Sequence, residues 1–272
     1  SFHPRGLPLF LGRHLAGLTR YTRVHVMIHE TWAGAGKGFR FAHSFMQKVL
    51  LKQLLDRLRP SVIHTHLPEY LQKLARLNHR ALELPLFSNI PVLAAGPPTP
   101  HKLVIGFFSQ VACSPRIRRF LNDLLGKVLA AGLQAELLLI GGREAEMREF
   151  STFLGHPRLV TRTGFLSPAE ISGAIRSCSM GITPVPRHAL GKSGSVAAFL
   201  SHGIPVGAPH VFANRPGIPG FFSPALQAAI LTEPDLDQLE SARTALITAR
   251  DEIRPGTITR KFLHDLNQPY KI

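Results

Sequence analysis

Short apolar runs alternate with helix patterns along most of this chain. In its first part, extended runs at 24–28, 61–65 and 84–87 are separated by helix patterns at 41–58 and 69–78. Apolar strands that are separated by helices predict parallel sheets with helices on both faces. We therefore expect an α/β fold, and this alternation restricts the architecture more than the composition does.

A proline-rich stretch at 96–100, Gly-Pro-Pro-Thr-Pro, interrupts the alternation and is the best linker candidate. The rhythm then restarts, with strand patterns at 103–108, 137–140, 159–161 and 180–183 and helix patterns at 116–131 and 168–177. We predict two Rossmann-like parallel-sheet domains, at 1–95 and 103–272, joined by a linker at 96–102. Because the chain begins in mid-pattern at Ser1, we expect the N-terminal domain to be incomplete and part of a longer protein to be missing.

The chain is strongly basic, with 32 Lys/Arg against 17 Asp/Glu and a net charge of +15. Residues 1–60 alone hold ten of these cations and two acids. Such a balance favours an anionic partner: nucleic acid, acidic lipid headgroups or phosphorylated substrates. A genome that favours arginine would give the same charge. The two cysteines, Cys113 and Cys178, argue against a disulfide scaffold and fit a reducing, cytoplasmic compartment.

The trio Gly191-Lys192-Ser193 stands before a short apolar helix pattern, where it suggests phosphate binding. It is not a P-loop, because that motif needs a glycine five positions before Gly191, where Pro186 stands. The local pattern still favours an anion, since a serine can cap the helix and its free N–H groups and positive dipole end face whatever precedes it. An ordinary capped helix with a solvated lysine would look the same.

Three further stretches carry a resemblance to a known family. They are 164–170 (Gly-Phe-Leu-Ser-Pro-Ala-Glu), 178–184 (Cys-Ser-Met-Gly-Ile-Thr-Pro) and 202–206 (His-Gly-Ile-Pro-Val). In this order they resemble the C-terminal domain of GT-B glycosyltransferases, above all the "group 1" retaining family, usually numbered four. The resemblance covers about 20–210. The stretch His29-Glu30-Thr31-Trp32 and the stretch at 84–91 are similar to a bacterial branch of that family.

The resemblance implies a retaining, metal-independent glycosyltransferase of polysaccharide biosynthesis. Such an enzyme moves a sugar from a nucleotide-diphosphate sugar to a glycan or a lipid-linked acceptor, with no cofactor beyond that co-substrate. In the family, the loop and the helix N-terminus before the Gly-x-Pro-Val strand hold the donor. The implied donor-binding residues are Ser109, Arg187, Gly191, Lys192, Ser193, Gly194 and Ser195.

Two departures from the family put activity in question. The Glu-x7-Glu pair of the family falls on Leu190 and Ala198, so both carboxylates are absent. The paired arginine and lysine after the first strand of the C-terminal domain are absent too, where the segment reads Gly-Phe-Phe-Ser-Gln-Val at 106–111. The alternative is a non-catalytic GT-B-like protein that binds or scaffolds in a polysaccharide assembly system. A nucleic-acid-binding protein is favoured by charge alone.

The stretch that begins at His29 is the candidate acceptor side. A zinc-protease motif is excluded, because H-E-x-x-H needs a second histidine where Ala33 stands. His29 lies just past a strand end, an edge where ligands bind in parallel sheets. We assign His29 and Glu30 as catalytic candidates and Trp32 as a sugar-stacking wall. The alternative is a histidine that caps a loop and a tryptophan in the core.

His64 and His66 lie on one face of a predicted strand, but no third ligand accompanies them, so a structural role is favoured over a metal site.

The helix pattern at 41–58 has an apolar side and a basic side. The apolar residues are Ala42, Phe45, Met46, Val49 and Leu50, and we expect them to lie in the core. The cations of the helix and its flanks are Arg40, Lys48, Lys52, Arg57 and Arg59. A hypothesis is that the basic side rests on anionic lipid at the inner face of a membrane.

Overall fold

The computed structural model describes residues 10–32, 39–93, 102–109, 111–155, 157–209 and 219–268. In chain order its helices and strands are α1 (Leu11–Leu15), β1 (His25–Ile28), α2 (Phe39–Leu58), β2 (Val62–Thr65), α3 (Pro68–Ala75), β3 (Leu82–Glu83), β4 (Lys102–Phe108), α4 (Pro115–Ala130), β5 (Gln134–Ile140), α5 (Glu144–Leu154), β6 (Val160–Gly164), α6 (Pro168–Ser177), β7 (Met180–Ile182), α7 (Gly194–Ser201), β8 (Val206–Gly207), α8 (Pro224–Ala228), β9 (Ile230–Leu231), α9 (Leu236–Ala249) and α10 (Pro255–Asn267). Short 3₁₀ helices lie at Ala16–Arg20, Pro157–Leu159, Arg187–Lys192 and Arg250–Ile253.

The chain forms two compact units. Unit 1 consists of Ser1–Leu84 and Thr259–Ile272, and unit 2 of Pro85–Ile258. This division differs from the predicted domains, because the C-terminal helix α10 belongs mainly to unit 1. The predicted linker at 96–102 lies, apart from Lys102, outside the described residues.

The sheet of unit 1 has three parallel strands in the order β1-β2-β3. Its core includes Ile28 and Ile63 from the strands, Leu55 from α2 and Leu74 from α3. The strand of this region, β3, lies at Leu82–Glu83, just before the predicted extended run at 84–87, and the N–H of Leu84 still donates to the carbonyl of Thr65 at 2.9 Å. Pro85 follows closely, and a proline has no N–H to give to a sheet.

Helix α10 packs on the same small sheet. The ring of Phe262 lies 5.1 Å from the ring of His25 and 5.9 Å from that of His64. Asp265 accepts a hydrogen bond from His64 Nε2 at 3.1 Å. These contacts explain why a segment at the end of the chain groups with its first strands.

One side of α2 packs differently from the sequence-based expectation. Phe45 is 58% exposed and Met46 is 45% exposed, so the expectation that this apolar side lies in the core was wrong. The buried side instead passes through Ser44, Leu55 and Leu58. Both sides of the helix contain apolar residues, and the choice between them depends on the sheet rather than on the helix.

The sheet of unit 2 has six parallel strands in the order β6-β5-β4-β7-β8-β9. The first three strands in sequence extend in one direction from β4, and the last three extend in the other. This is the doubly wound order in which the winding reverses between two neighbouring strands, here β4 and β7. Ligands of such sheets bind outside the carboxyl ends of the strands at that point.

Two glycines bring α7 close to the sheet of unit 2. Gly106 of β4 and Gly181 of β7 are register partners, and the buried ring of Phe199 from α7 lies over them. A Cβ at Gly181 would come within 2.6 Å of Phe199 Cε2, so a larger residue does not fit without a shift. The pair thus sets how closely α7 approaches the sheet.

Candidate functional site

The candidate donor site is formed by loops at the carboxyl edge of the unit 2 sheet. Ser109 directly follows β4 and has a positive φ of 68°. The segment between β7 and α7 contains the 3₁₀ helix Arg187–Lys192, followed by Ser193. Both loops leave the two strands at which the winding reverses, which is the expected position of a ligand in this sheet order.

A neighbouring loop holds the 3₁₀ helix in place. The N–H of Gly191 donates a hydrogen bond to the carbonyl of Gly220 at 3.0 Å. A Cβ at Gly220 would collide with the Arg187 carbonyl, so glycine is required there for this close approach. The backbone around Gly191 is therefore fixed by contacts within unit 2, and Lys192 is half-buried beside it.

The start of α7 is capped as predicted. Ser193 Oγ accepts a hydrogen bond from the N–H of Val196 at 3.4 Å and lies 3.1 Å from Ser195 Oγ. At the other end, Gly203 adopts the left-handed conformation, with a φ of 76°, that the sequence indicated for a helix stop. The positive end of the helix dipole therefore lies at 193–195, next to Lys192.

Arg187 adds a second cation to this segment. Its Nε is withdrawn from solvent and has no hydrogen-bond partner among the described residues. Buried polar atoms in proteins are nearly always hydrogen-bonded. Arg187 opens the 3₁₀ helix that leads to the capped N-terminus of α7, and such a terminus favours an anion as the acceptor.

At the two positions where the resembled family has carboxylates, this chain has buried apolar residues. Leu190 and Ala198 are both 0% exposed. Neither side chain is a hydrogen-bonding group, and the segment at 187–195 contains no acid. The segment therefore carries the cations Arg187 and Lys192 with no acid beside them in sequence.

The candidate acceptor site lies at the carboxyl edge of the unit 1 sheet, where His29 follows β1 and His66 follows β2. His66 Nδ1 lies 2.7 Å from the carbonyl of Leu84, which can only accept, so this nitrogen carries a proton. His66 Nε2 lies 3.2 Å from His29 Nδ1. When both rings are neutral, His29 Nδ1–H donates to His66 and the lone pair of His29 stands on Nε2.

The neutral form of His66 is favoured by its surroundings. Burial lowers the pKa of His66, and the hydrogen bond to the Leu84 carbonyl opposes this in part. His29 itself is exposed. His29 is therefore an exposed imidazole, and its hydrogen bond to the buried His66 determines that Nε2 is its unprotonated nitrogen.

Helix α3 holds the rest of the acceptor segment. The hydroxyl of Tyr70 donates to Glu30 Oε2 at 2.9 Å. Burial raises the pKa of Tyr70, and the Glu30 carboxylate raises it further, so the hydroxyl stays a donor. Lys73 donates to Thr31 Oγ1 at 3.1 Å and to the Trp32 carbonyl at 3.0 Å. The side chain of Lys73 is also paired with Glu69 at 2.9 Å.

Trp32 is in contact with cations. The ammonium of Lys73 lies 5.2 Å from the centre of its ring, and that of Lys48 lies 5.8 Å from it. At least one face of the ring is therefore occupied by a cation–π contact. Lys48 and Lys73 are therefore neighbours of Trp32, the residue that we predicted to stack on a sugar ring.

His64 and His66 have different partners. His64 is completely buried, and its Nδ1 lies 2.9 Å from His25 Nε2 while its Nε2 donates to Asp265. His66 belongs to the strand-end pair with His29. Within the described ranges, no group of three or more His, Cys, Asp or Glu side chains could hold a metal ion.

Sequence reasoning missed three residues that the structure brings to the acceptor segment: His66 as the partner of His29, Tyr70 and Lys73. Their positions in the chain were the signal that could have identified them. His66 follows a strand end directly, and the other two lie in the first two turns of the helix after it. The contacts depend on the pairing of β1 with β2, which no local pattern specifies.

No protein-family model and no curated protein matches this sequence. Solved structures do resemble the folded chain. The apo form of the lipopolysaccharide outer core galactosyltransferase WaaB has a TM-score of 0.51 at 14% identity, over 94% of this chain and 77% of that one. The pneumococcal O-GlcNAc transferase GtfA, in complex with UDP and GlcNAc, has a TM-score of 0.54 at 12% identity, over 94% of this chain and 55% of that one. A glycosyltransferase from Rickettsia africae has a TM-score of 0.51 at 12% identity, over 94% and 81%.

The chain has the GT-B fold. Its two parallel sheets of three and six strands, covered by helices, match the architecture of these transferases and confirm the predicted fold class. The chain spans 55% of the length of GtfA and 77% of that of WaaB. At 12–14% identity, the likeness establishes the GT-B fold and leaves the chemistry to the residues of the two sites.

Proposed function

We propose that this protein is a glycosyltransferase that uses a nucleotide-diphosphate sugar. The observation that carries the proposal is the cationic segment at 187–195, which follows β7 at the point where the winding of a GT-B sheet reverses. Several solved structures with this fold are transferases, and two of them contain UDP. UDP is therefore the first nucleotide to test.

In this proposal, the segment stabilises the leaving diphosphate. As the bond between the anomeric carbon and the phosphate oxygen breaks, negative charge grows on the nucleotide diphosphate. The N-terminus of α7, the Lys192 ammonium and the Arg187 guanidinium would stabilise that charge, with Ser193 and Ser195 as hydroxyl donors and the two glycines, Gly191 and Gly194, admitting a close approach. Ser109, after β4, would contact the donor from the neighbouring strand.

These are the groups that a metal-independent transferase would use, since cations and backbone N–H groups take the part of a metal ion. The retained anomeric configuration is part of the same proposal and follows from the family that the sequence resembles.

The acceptor would be bound by the strand-end segment of unit 1. Its hydroxyl oxygen forms the new bond to the anomeric carbon and loses its proton. His29 Nε2 would accept that proton, because the hydrogen bond to His66 leaves the lone pair of His29 on this nitrogen. Glu30 would hold a second hydroxyl of the acceptor. Trp32 would pack against a sugar ring. The acceptor is a glycan or a lipid-linked sugar in the cytoplasmic assembly of a polysaccharide.

Calorimetric titration of UDP, GDP and their sugars tests the donor site. We expect one nucleotide to bind and Lys192→Ala to weaken it by about tenfold or more, since a charged hydrogen bond contributes about 1.5–3 kcal/mol. Arg148→Ala is the matched control. Arg148 is an exposed cation of the same unit that pairs with Glu144, and its loss should leave the affinity unchanged.

A second variant separates the two sites. His29→Ala should bind the nucleotide normally and lose transfer of the sugar, which is measured as donor consumed in the presence of a glycan extract. If no nucleotide binds to the wild-type protein, the proposal fails.

The second candidate function is a non-catalytic GT-B-like protein that binds or scaffolds in the same assembly system. The observation that favours it is the burial of Leu190 and Ala198 where the resembled family has two carboxylates. Binding of a glycan without any binding of a nucleotide sugar would support this function over transfer.

A further inference from the structure

The outer face of α2 exposes large apolar side chains. Phe41 is 59% exposed, Phe45 is 58% exposed and Met46 is 45% exposed. Phe41 and Phe45 are four residues apart and therefore adjacent on the helix surface. Contiguous exposed apolar groups of this kind mark interaction sites rather than ordinary surface.

The same face carries two lysines. Lys48 and Lys52 continue the stripe of Phe41 and Phe45 at helical spacing. Asp56 is the only carboxylate of α2 and is neutralised by Lys52, whose ammonium lies 2.7 Å from it. We call these four stripe residues with Met46 the α2 face: Phe41, Phe45, Met46, Lys48 and Lys52.

Apolar side chains that are bordered by cations match one kind of surface closely. In an anionic bilayer, phenylalanine side chains enter the boundary between headgroups and acyl chains, while lysines contact the lipid phosphates. An acidic protein partner would complement the lysines but would leave the exposed phenylalanines without a matching surface. The surplus of cations in residues 1–60, ten against two acids, attracts a negatively charged surface over a wider area.

We infer that the α2 face docks the protein on an anionic bilayer and brings the acceptor segment to the level of the headgroups. The link between the two is Lys48, which belongs to the stripe and whose ammonium lies 5.8 Å from the centre of the Trp32 ring. The substrate class that follows is a lipid-linked acceptor, and this part of the inference rests on the proposed function. Among the described residues, no helix is long and apolar enough to span a membrane.

Trp32 is the single tryptophan of the chain and is a local probe for this docking. The full chain is mixed with phosphatidylcholine vesicles or with vesicles that also contain phosphatidylglycerol, and binding is followed by flotation. We expect binding to the anionic vesicles only, with loss at high salt. Lipid that carries a spin label on its headgroup should quench the Trp32 fluorescence upon binding.

Two variants with matched controls locate the docking surface. Phe41→Ser combined with Phe45→Ser should weaken binding by about tenfold or more, as expected when two buried phenylalanines are lost, and should abolish the quenching. Phe165→Ser is the control, because Phe165 is 89% exposed in unit 2 and has the same side chain. Lys52→Glu should also weaken binding, whereas Arg148→Glu in unit 2 should not.

Unchanged vesicle binding by the double phenylalanine variant would overturn the inference, and so would an equal loss with Phe165→Ser. Displacement from vesicles by single-stranded nucleic acid, with direct binding of that nucleic acid to the α2 face, would assign the face to another partner. Nucleotide calorimetry on the same variants separates the two proposals. Vesicle binding without nucleotide binding would refute the transferase alone, and nucleotide binding without vesicle binding would refute the docking alone.

Discussion

The contact between Gly181 and Phe199 gives the sharpest test of how unit 2 is packed. In Gly181→Ala the added Cβ would lie 2.6 Å from two carbons of the Phe199 ring, closer than real Cβ contacts allow. Phe199 is 1% exposed, so its ring has no solvent to move into. Forcing a methyl group into a filled core costs about 1–3 kcal/mol. We expect the free energy of unfolding to fall by this amount in a urea titration that is followed by circular dichroism.

A control of opposite sign is available in α4. A Cβ at Gly126 would meet nothing within 4 Å, so Gly126→Ala should stabilise the protein by about 1 kcal/mol through helix propensity alone. In the Phe199→Leu background, Gly181→Ala should cost less than half of what it costs in the native background, because the obstructing ring is gone. A free energy of unfolding that is unchanged in Gly181→Ala would refute the packing argument.

Two further predictions concern titratable groups. Burial lowers the pKa of His25, His66 and His202 from the ordinary value of 6.5, so these rings stay neutral in the folded chain while they gain protons in the unfolded chain. Stability should therefore be full above pH 6.5 and fall as the pH decreases below it, by at most about 1.4 kcal/mol per pH unit for each ring. Urea titrations between pH 7 and pH 5 check this, and His202→Gln should flatten the dependence. Burial raises the pKa of both thiols, that of Cys178 to about 12, but only Cys113 is exposed. A thiol reagent at pH 8 should therefore modify Cys113 alone in the native protein and both cysteines in urea.

Much of unit 2 could be predicted because its signals are local. Ser167 followed by Pro168 starts α6, and the predicted helix at 168–177 matches the observed one residue for residue. Ser193 caps α7 and Gly203 stops it, each through a backbone preference that belongs to the residue itself. The strands at 103–108 and 180–183 were recognisable because buried parallel strands are apolar throughout.

The remaining differences depend on contacts between distant residues. Helix α2 has apolar residues on two sides, and only its packing against the sheet decides that Leu55 is buried and Phe45 is exposed. The partnership of His29 with His66 joins positions 37 residues apart and requires the register of β1 with β2. The position of α10 joins His64 to Asp265 across 201 residues, a separation at which no helix or strand pattern carries information.

The return of α10 to the first sheet has a consequence for how the chain can be divided. Unit 2 is a continuous insertion, Pro85–Ile258, within a unit whose own two pieces are not continuous. Unit 2 can therefore be cut out as one segment, whereas unit 1 requires both ends of the chain. Truncation after residue 258 would leave the buried His64 without its carboxylate and would remove Phe262 from the rings that it covers. Damage from a lost C-terminus would thus appear first in the N-terminal strands.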